Sequence, residues 1–106
     1  LVSTETTIPN DFTVALPYPN PFNASVGVRY HVPGPGYLQI DLYDVLGRHI
    51  NAWGQRTEST SYARWHWDGR SQTGIETASG IYTIQFHYFG DDGLLRSQSR
   101  RVVQLR

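Results

Sequence analysis

A two-sheet β-sandwich of about seven antiparallel strands, without substantial helix, is the fold that the sequence predicts, on three observations. Apolar residues recur with period two rather than 3.6 through most of the chain. Clusters of Gly, Pro, Asn and Asp separate the alternating runs at short intervals. The length, 106 residues, is that of one domain and buries a core without covalent staples.

Residues 1–11 (LVSTETTIPND) are polar, rich in Ser and Thr, and carry Pro9, the composition of a linker from a preceding passenger domain. The folded domain is expected over 12–106. Phe12, Val14 and Leu16 alternate with Thr13 and Ala15 in a first strand. Pro17, Pro19 and Pro21 then fix three φ angles and remove three ladder donors, so this segment crosses between sheets. Tyr18–Pro19 is a candidate cis bond. Phe22 is expected to plug the end of the core, and Asn20 and Asn23 to hydrogen-bond the turn backbone.

Val26, Val28, Tyr30 and Val32 mark a strand near 25–32, stopped by Pro33-Gly34-Pro35-Gly36. Leu38, Ile40 and Leu42 mark the next, near 37–43, and the turn Asp44-Val45-Leu46-Gly47 returns the chain into 48–53. In the strand near 62–67, Trp65 and Trp67 share one parity and point inward. Asp68-Gly69 and Thr73-Gly74 bound a short excursion. Gly80 admits the chain to a central strand, 81–89, carrying Tyr82, Ile84, Phe86 and Tyr88; a loop at 90–93 leads to the last strand, 94–105. Short strands joined by loops rather than crossovers fit an immunoglobulin-like sandwich.

Composition excludes several function classes. Nine acidic residues balance nine basic ones, all arginine, so the net charge is zero and no basic face for nucleic acid is predicted. Without cysteine there is no disulfide framework, thiolate zinc site or cysteine nucleophile. No apolar run approaches the roughly 18 residues of a membrane span, so membrane insertion is not expected. The first residue is leucine, which reads as a chain excised from a longer one.

Three stretches go beyond a generic sandwich. They are Leu16-Pro17-Tyr18-Pro19-Asn20-Pro21-Phe22-Asn23, Leu42-Tyr43-Asp44-Val45-Leu46-Gly47-Arg48, and Trp67-Asp68-Gly69 with Gly74, Ser79-Gly80-Ile81-Tyr82 and the closing Arg100-Arg101-Val102-Val103-Gln104-Leu105-Arg106. In this order and spacing, over about residues 12–106, the chain resembles the C-terminal sorting domain of type IX (Por) secretion cargo. It also resembles the related immunoglobulin-like domain of flagellar hook-capping proteins. The resemblance implies a secretion signal that directs an N-terminal passenger through the periplasm and across the outer membrane of a Gram-negative bacterium to the cell surface. Its implied partners are the outer-membrane translocon and, in many members, a sortase-like peptidase that removes the domain and attaches the passenger to lipopolysaccharide.

From Leu94 to Arg106 there are four arginines and no acid. In the resembled family the end of this strand is read by the export machinery, which points to Arg100, Arg101, Val103, Leu105 and Arg106 as translocon contacts, with Gly80 and Tyr82 as supporting motif. Family members usually carry lysine there; the planar guanidinium keeps the charge but not the ammonium chemistry. An exposed edge strand offers a partner its backbone groups as well as charge, which predicts recognition by β-augmentation.

No catalytic constellation is apparent, and an enzyme is not predicted. His31, His49, His66 and His87 are dispersed, with His31, His66 and His87 on outward parity. His31 and His66 fall on strands expected to be neighbours, but no third ligand accompanies them, so neither a metal nor another cofactor is predicted. The acids Asp41, Asp44, Asp68, Asp91 and Asp92 sit mainly at turns. Fourteen aromatics raise carbohydrate binding as the alternative, with Trp53, Tyr37, Tyr43 and Tyr62 as candidate glycan contacts and Phe89 also exposed. A purely structural accessory module is the third reading.

Overall fold

A computed structural model describes residues 12–106; the linker assigned to residues 1–11 lies outside them. Seven strands form: β1 Thr13–Val14, β2 Val26–Val32, β3 Gly36–Asp44, β4 His49–Thr57, β5 Ser61–Trp67, β6 Gly80–Gly90 and β7 Leu95–Gln104. They pair antiparallel in two sheets of order β1-β2-β5 and β4-β3-β6-β7, with no helix among the described residues. The immunoglobulin-like sandwich is therefore as the alternation predicted.

The core lies between the sheets and is built from the inward parity of each strand. Val26, Val28, Tyr30 and Val32 from β2 meet Leu38, Ile40 and Leu42 from β3 and Tyr82, Ile84, Phe86 and Tyr88 from β6. Trp65 and Trp67 both point in, as expected. Trp67 packs edge-on against Phe22 and Tyr82, with centroids 5.5 and 5.1 Å apart, and its indole N–H donates to the Arg70 carbonyl at 2.8 Å. Phe22 thus plugs one end of the core. Trp65 packs edge-on against Trp53 and Phe86.

Several local expectations change. The first strand pairs over only two residues, and Leu16 is 80% exposed while Pro17 is buried beside it. Proline cannot extend the ladder, so the alternation ends before Leu16 reaches a core position. Both Tyr18–Pro19 and Asn20–Pro21 are cis. His31 has outward parity yet is buried, because the Tyr62 ring covers it at 4.6 Å and Thr60 Oγ1 lies 3.1 Å from Nε2. β2 and β5 are neighbours, but the register sets His31 opposite Tyr62 and His66 opposite Gly27, so the two histidines do not meet.

Candidate functional site

The terminal strand β7 is the outer strand of the four-stranded sheet, but its free edge is only partly free. Phe22 N–H donates to the Val103 carbonyl at 2.9 Å, and Leu105 N–H donates to the Phe22 carbonyl at 2.8 Å. Asn20 adds a side-chain clamp: Nδ2 donates to the Arg101 carbonyl at 3.1 Å, and Oδ1 accepts Val103 N–H at 2.9 Å. Asn20 therefore bonds the terminal strand across 83 residues rather than its own turn. These bonds place the outward backbone groups of β7 on its odd-numbered residues. Over 101–105 they are taken by the Asn20–Phe22 segment, which corrects the expectation of an open edge there. Arg100 Nη1 also takes the Ser99 carbonyl at 2.8 Å, so the accessible edge is Leu95–Ser97.

The terminal arginines divide in the same way. Arg100 reaches the other sheet and donates to the Val14 and Ala15 carbonyls through Nη2 and Nε. Arg106 reaches the loop after β5, donating through Nη2 to the Gly69 carbonyl at 2.7 Å and through Nε to Thr77, with Glu76 at 3.8 Å. Arg96 pairs with Asp92 at 3.0 Å and lies over the Tyr88 ring. That bond to Arg96, with the Leu94 N–H, holds the Asp92 carboxyl below its ordinary pKa. Arg101 is exposed, and its guanidinium has no hydrogen-bond or ion-pair partner among the described residues.

Arg106 completes a buried polar cluster that sequence reasoning missed. Gln104 is fully buried, its amide within 2.6 Å of Thr77 Oγ1. With the amide turned so that its nitrogen faces Thr77, its oxygen accepts from Arg106 at 2.7 and 3.0 Å. Gly69 roofs the cluster at φ 76°, and a Cβ there would stand 2.6 Å from Gln104 Nε2. The signal was present: Gln104 has the inward parity of Val102, and a polar residue there needs buried partners.

Gly80 takes φ 155°, a conformation nearly confined to glycine, and opens β6. Tyr82 is buried, and its hydroxyl donates to the Ala78 carbonyl at 2.6 Å. Both support the terminal strand from beneath: Gly80 is paired with Gln104 and Tyr82 with Val102. Val103 is half-buried on the outer face beside Ile81, and Leu105 is exposed.

An open groove of about 650 Å³ on this outer face brings together the Leu42–Arg48 stretch, the start of β6 and Arg101 of the closing stretch. Tyr43, Asp44 and Val45 line it from the turn, Ile81 and Gln85 from β6, and Arg101 from β7. The turn is rigidly held. Asp44 accepts Arg48 N–H at 2.9 Å, Leu46 N–H at 3.0 Å and Arg48 Nε at 2.8 Å. These donors, the Arg48 N–H foremost, lower the Asp44 carboxyl below its ordinary pKa.

The four candidate glycan aromatics do not form a platform. Tyr37 lies on the outer face of β3 with its hydroxyl over Gly54, whereas Tyr43 lies at the other end of that strand against His49. Trp53 is half-buried against Trp65, and Tyr62 stands on the opposite sheet. Among the described residues no group of three or more His, Asp or Glu side chains is placed to hold a metal ion.

No protein-family model and no curated protein matches the sequence. Solved structures do share the fold. Dimeric latent PorU from Porphyromonas gingivalis matches with a TM-score of 0.74 and 18% identity, over 96% of this chain and 10% of PorU. FlgD from Xanthomonas campestris, described as essential to hook capping in flagellar assembly, matches with a TM-score of 0.64 and 15% identity, over 89% of this chain and 69% of FlgD. PorZ, a surface component of the Porphyromonas gingivalis type IX secretion system, matches with a TM-score of 0.51 and 21% identity, over 90% of this chain and 11% of PorZ. The chain thus spans about a tenth of the two Por proteins, and what it shares with all three is a β-sandwich fold.

Proposed function

We propose that this domain is a sorting signal of type IX secretion, which carries an N-terminal passenger from the periplasm across the outer membrane to the cell surface. The observation that carries the reading is the meeting of three sequence stretches at one end of one sheet. The Leu42–Arg48 turn, the start of β6 and the terminal strand converge on the groove that ends at Arg101. The shared fold with segments of PorU and PorZ supports the same reading.

The partner is the outer-membrane translocon, with a sortase-like peptidase acting afterwards. Arg101, Val103 and Leu105 present one charge and two apolar side chains to it. Arg100, Arg106, Gly80 and Tyr82 hold that surface in place through the contacts described above. Backbone pairing with the partner takes place at Leu95–Ser97, where β7 still offers an unclaimed edge.

The test fuses residues 1–106 to a periplasmic reporter in a host with the secretion system. Arg101→Gln combined with Leu105→Ser is expected to reduce surface export at least tenfold while circular dichroism and thermal midpoint stay near those of the parent. Export equal to the parent would sink the proposal.

A further inference from the structure

The outer face of the three-stranded sheet holds a charge arrangement that folding alone disfavours. Arg29 on β2 stands directly opposite Arg64 on β5, both exposed. Like charges at opposed positions of an antiparallel pair repel. Six of the other arginines meet a carboxylate or a backbone carbonyl: Arg48, Arg56, Arg70, Arg96, Arg100 and Arg106. Arg29 and Arg64 meet neither among the described residues.

The next same-face pair along these strands is His31 and Tyr62, about 7 Å further on. Tyr62 is 75% exposed, and its position is fixed by contact with the buried His31 ring. Thr13 and Ala15 extend the face across β1, and a shallow groove of about 600 Å³ crosses all three strands. The wall is short side chains with Tyr62 and part of Tyr30, and the charge is two guanidinium forks.

We propose that Arg29, Arg64 and Tyr62 form a binding face for an acidic polysaccharide. The paired forks take carboxylate or phosphate oxygens in bidentate geometry. The Tyr62 ring takes the apolar face of the neighbouring sugar. Bound anion removes the repulsion between the arginines, so charge complementarity selects the ligand. The site is on the sheet opposite the Arg101 groove and stands independently of the sorting role.

The test is calorimetric titration of residues 1–106 with oligogalacturonate, a phosphate-bearing oligomannose, neutral dextrin and polyglutamate. Binding of one or both acidic saccharides without dextrin binding is expected, and the two acidic arms identify the anion. Arg29→Gln and Arg64→Gln should each weaken binding at least tenfold while melting no lower than the parent, because each relieves the repulsion. Tyr62→Ala should weaken binding about tenfold, and Arg101→Gln should leave it unchanged. Three outcomes overturn the proposal: no acidic saccharide binds, the arginine variants bind like the parent, or polyglutamate binds as tightly as the saccharides. Binding that appears only after Glu5→Gln and Asp11→Asn would also overturn it, by making the chain's own acids the occupant.

Discussion

Asn20 and Val103 form a lock between the proline-rich crossover and the terminal strand: Asn20 Oδ1 accepts the Val103 N–H at 2.9 Å while its Nδ2 donates to the Arg101 carbonyl. Asn20→Ala removes both bonds and is expected to cost about 1–2 kcal/mol by urea denaturation. Hydrogen exchange at the Val103 amide should accelerate more than at Val102, whose backbone faces β6. Equal acceleration at both would mean global destabilisation rather than an opened edge.

Gly69 is both conformationally and sterically constrained, with positive φ and the Gln104 amide where a side chain would begin. Gly69→Ala should therefore cost at least about 2 kcal/mol. Gly47→Ala shares the positive φ but has nothing within 4 Å of its Cβ. It should cost about 1–2 kcal/mol, the backbone penalty alone. Thermal melts of the pair separate the two contributions.

Trp65 and Trp67 occupy one strand and one core, yet their indole nitrogens differ. Trp67 Nε1 donates to Arg70, whereas Trp65 Nε1 is buried with no partner among the described residues. Trp67→Phe should cost about 1 kcal/mol or more beyond Trp65→Phe in denaturant titrations. Equal costs would place the difference in ring packing instead.

Asp44 sets an acid limb on stability. Its folded pKa lies below the unfolded value near 4, so its contribution is complete above about pH 4 and is lost as pH falls through the folded value. Asp44→Asn should lower the thermal midpoint at pH 7, and the gap from the parent should close on acidification. A gap independent of pH would assign the effect to turn geometry rather than charge.

How legible all this was depends on whether a contact follows strand periodicity. Alternation in β2, β3 and β6 marked their inward residues because each is flanked by pairing strands and faces the other sheet. β4 was bounded less well, since it runs to Thr57 as an outer strand with graded rather than alternating burial. The pairing of Phe22 with the terminal strand was invisible because it is non-local and parallel, joining residues 82 positions apart around Gln104. His31 defeated parity because a neighbouring ring covers it. The terminal basic stretch was legible as charge, but not as three anchored arginines and one exposed one, since Arg100 and Arg106 are anchored on a distant strand and loop and only Arg96 on the adjoining turn.

Arg100 also has a mechanical consequence. Its guanidinium holds the Val14 and Ala15 carbonyls, while β2 pairs with the same two-residue strand through Thr13–His31 and Val14–Tyr30. A load pulled along the chain into Phe12 is therefore shared at once by the inner strand of one sheet and the outer strand of the other. Short as it is, β1 does not peel away alone, and traction on the amino-terminal side is borne by the sandwich as a unit.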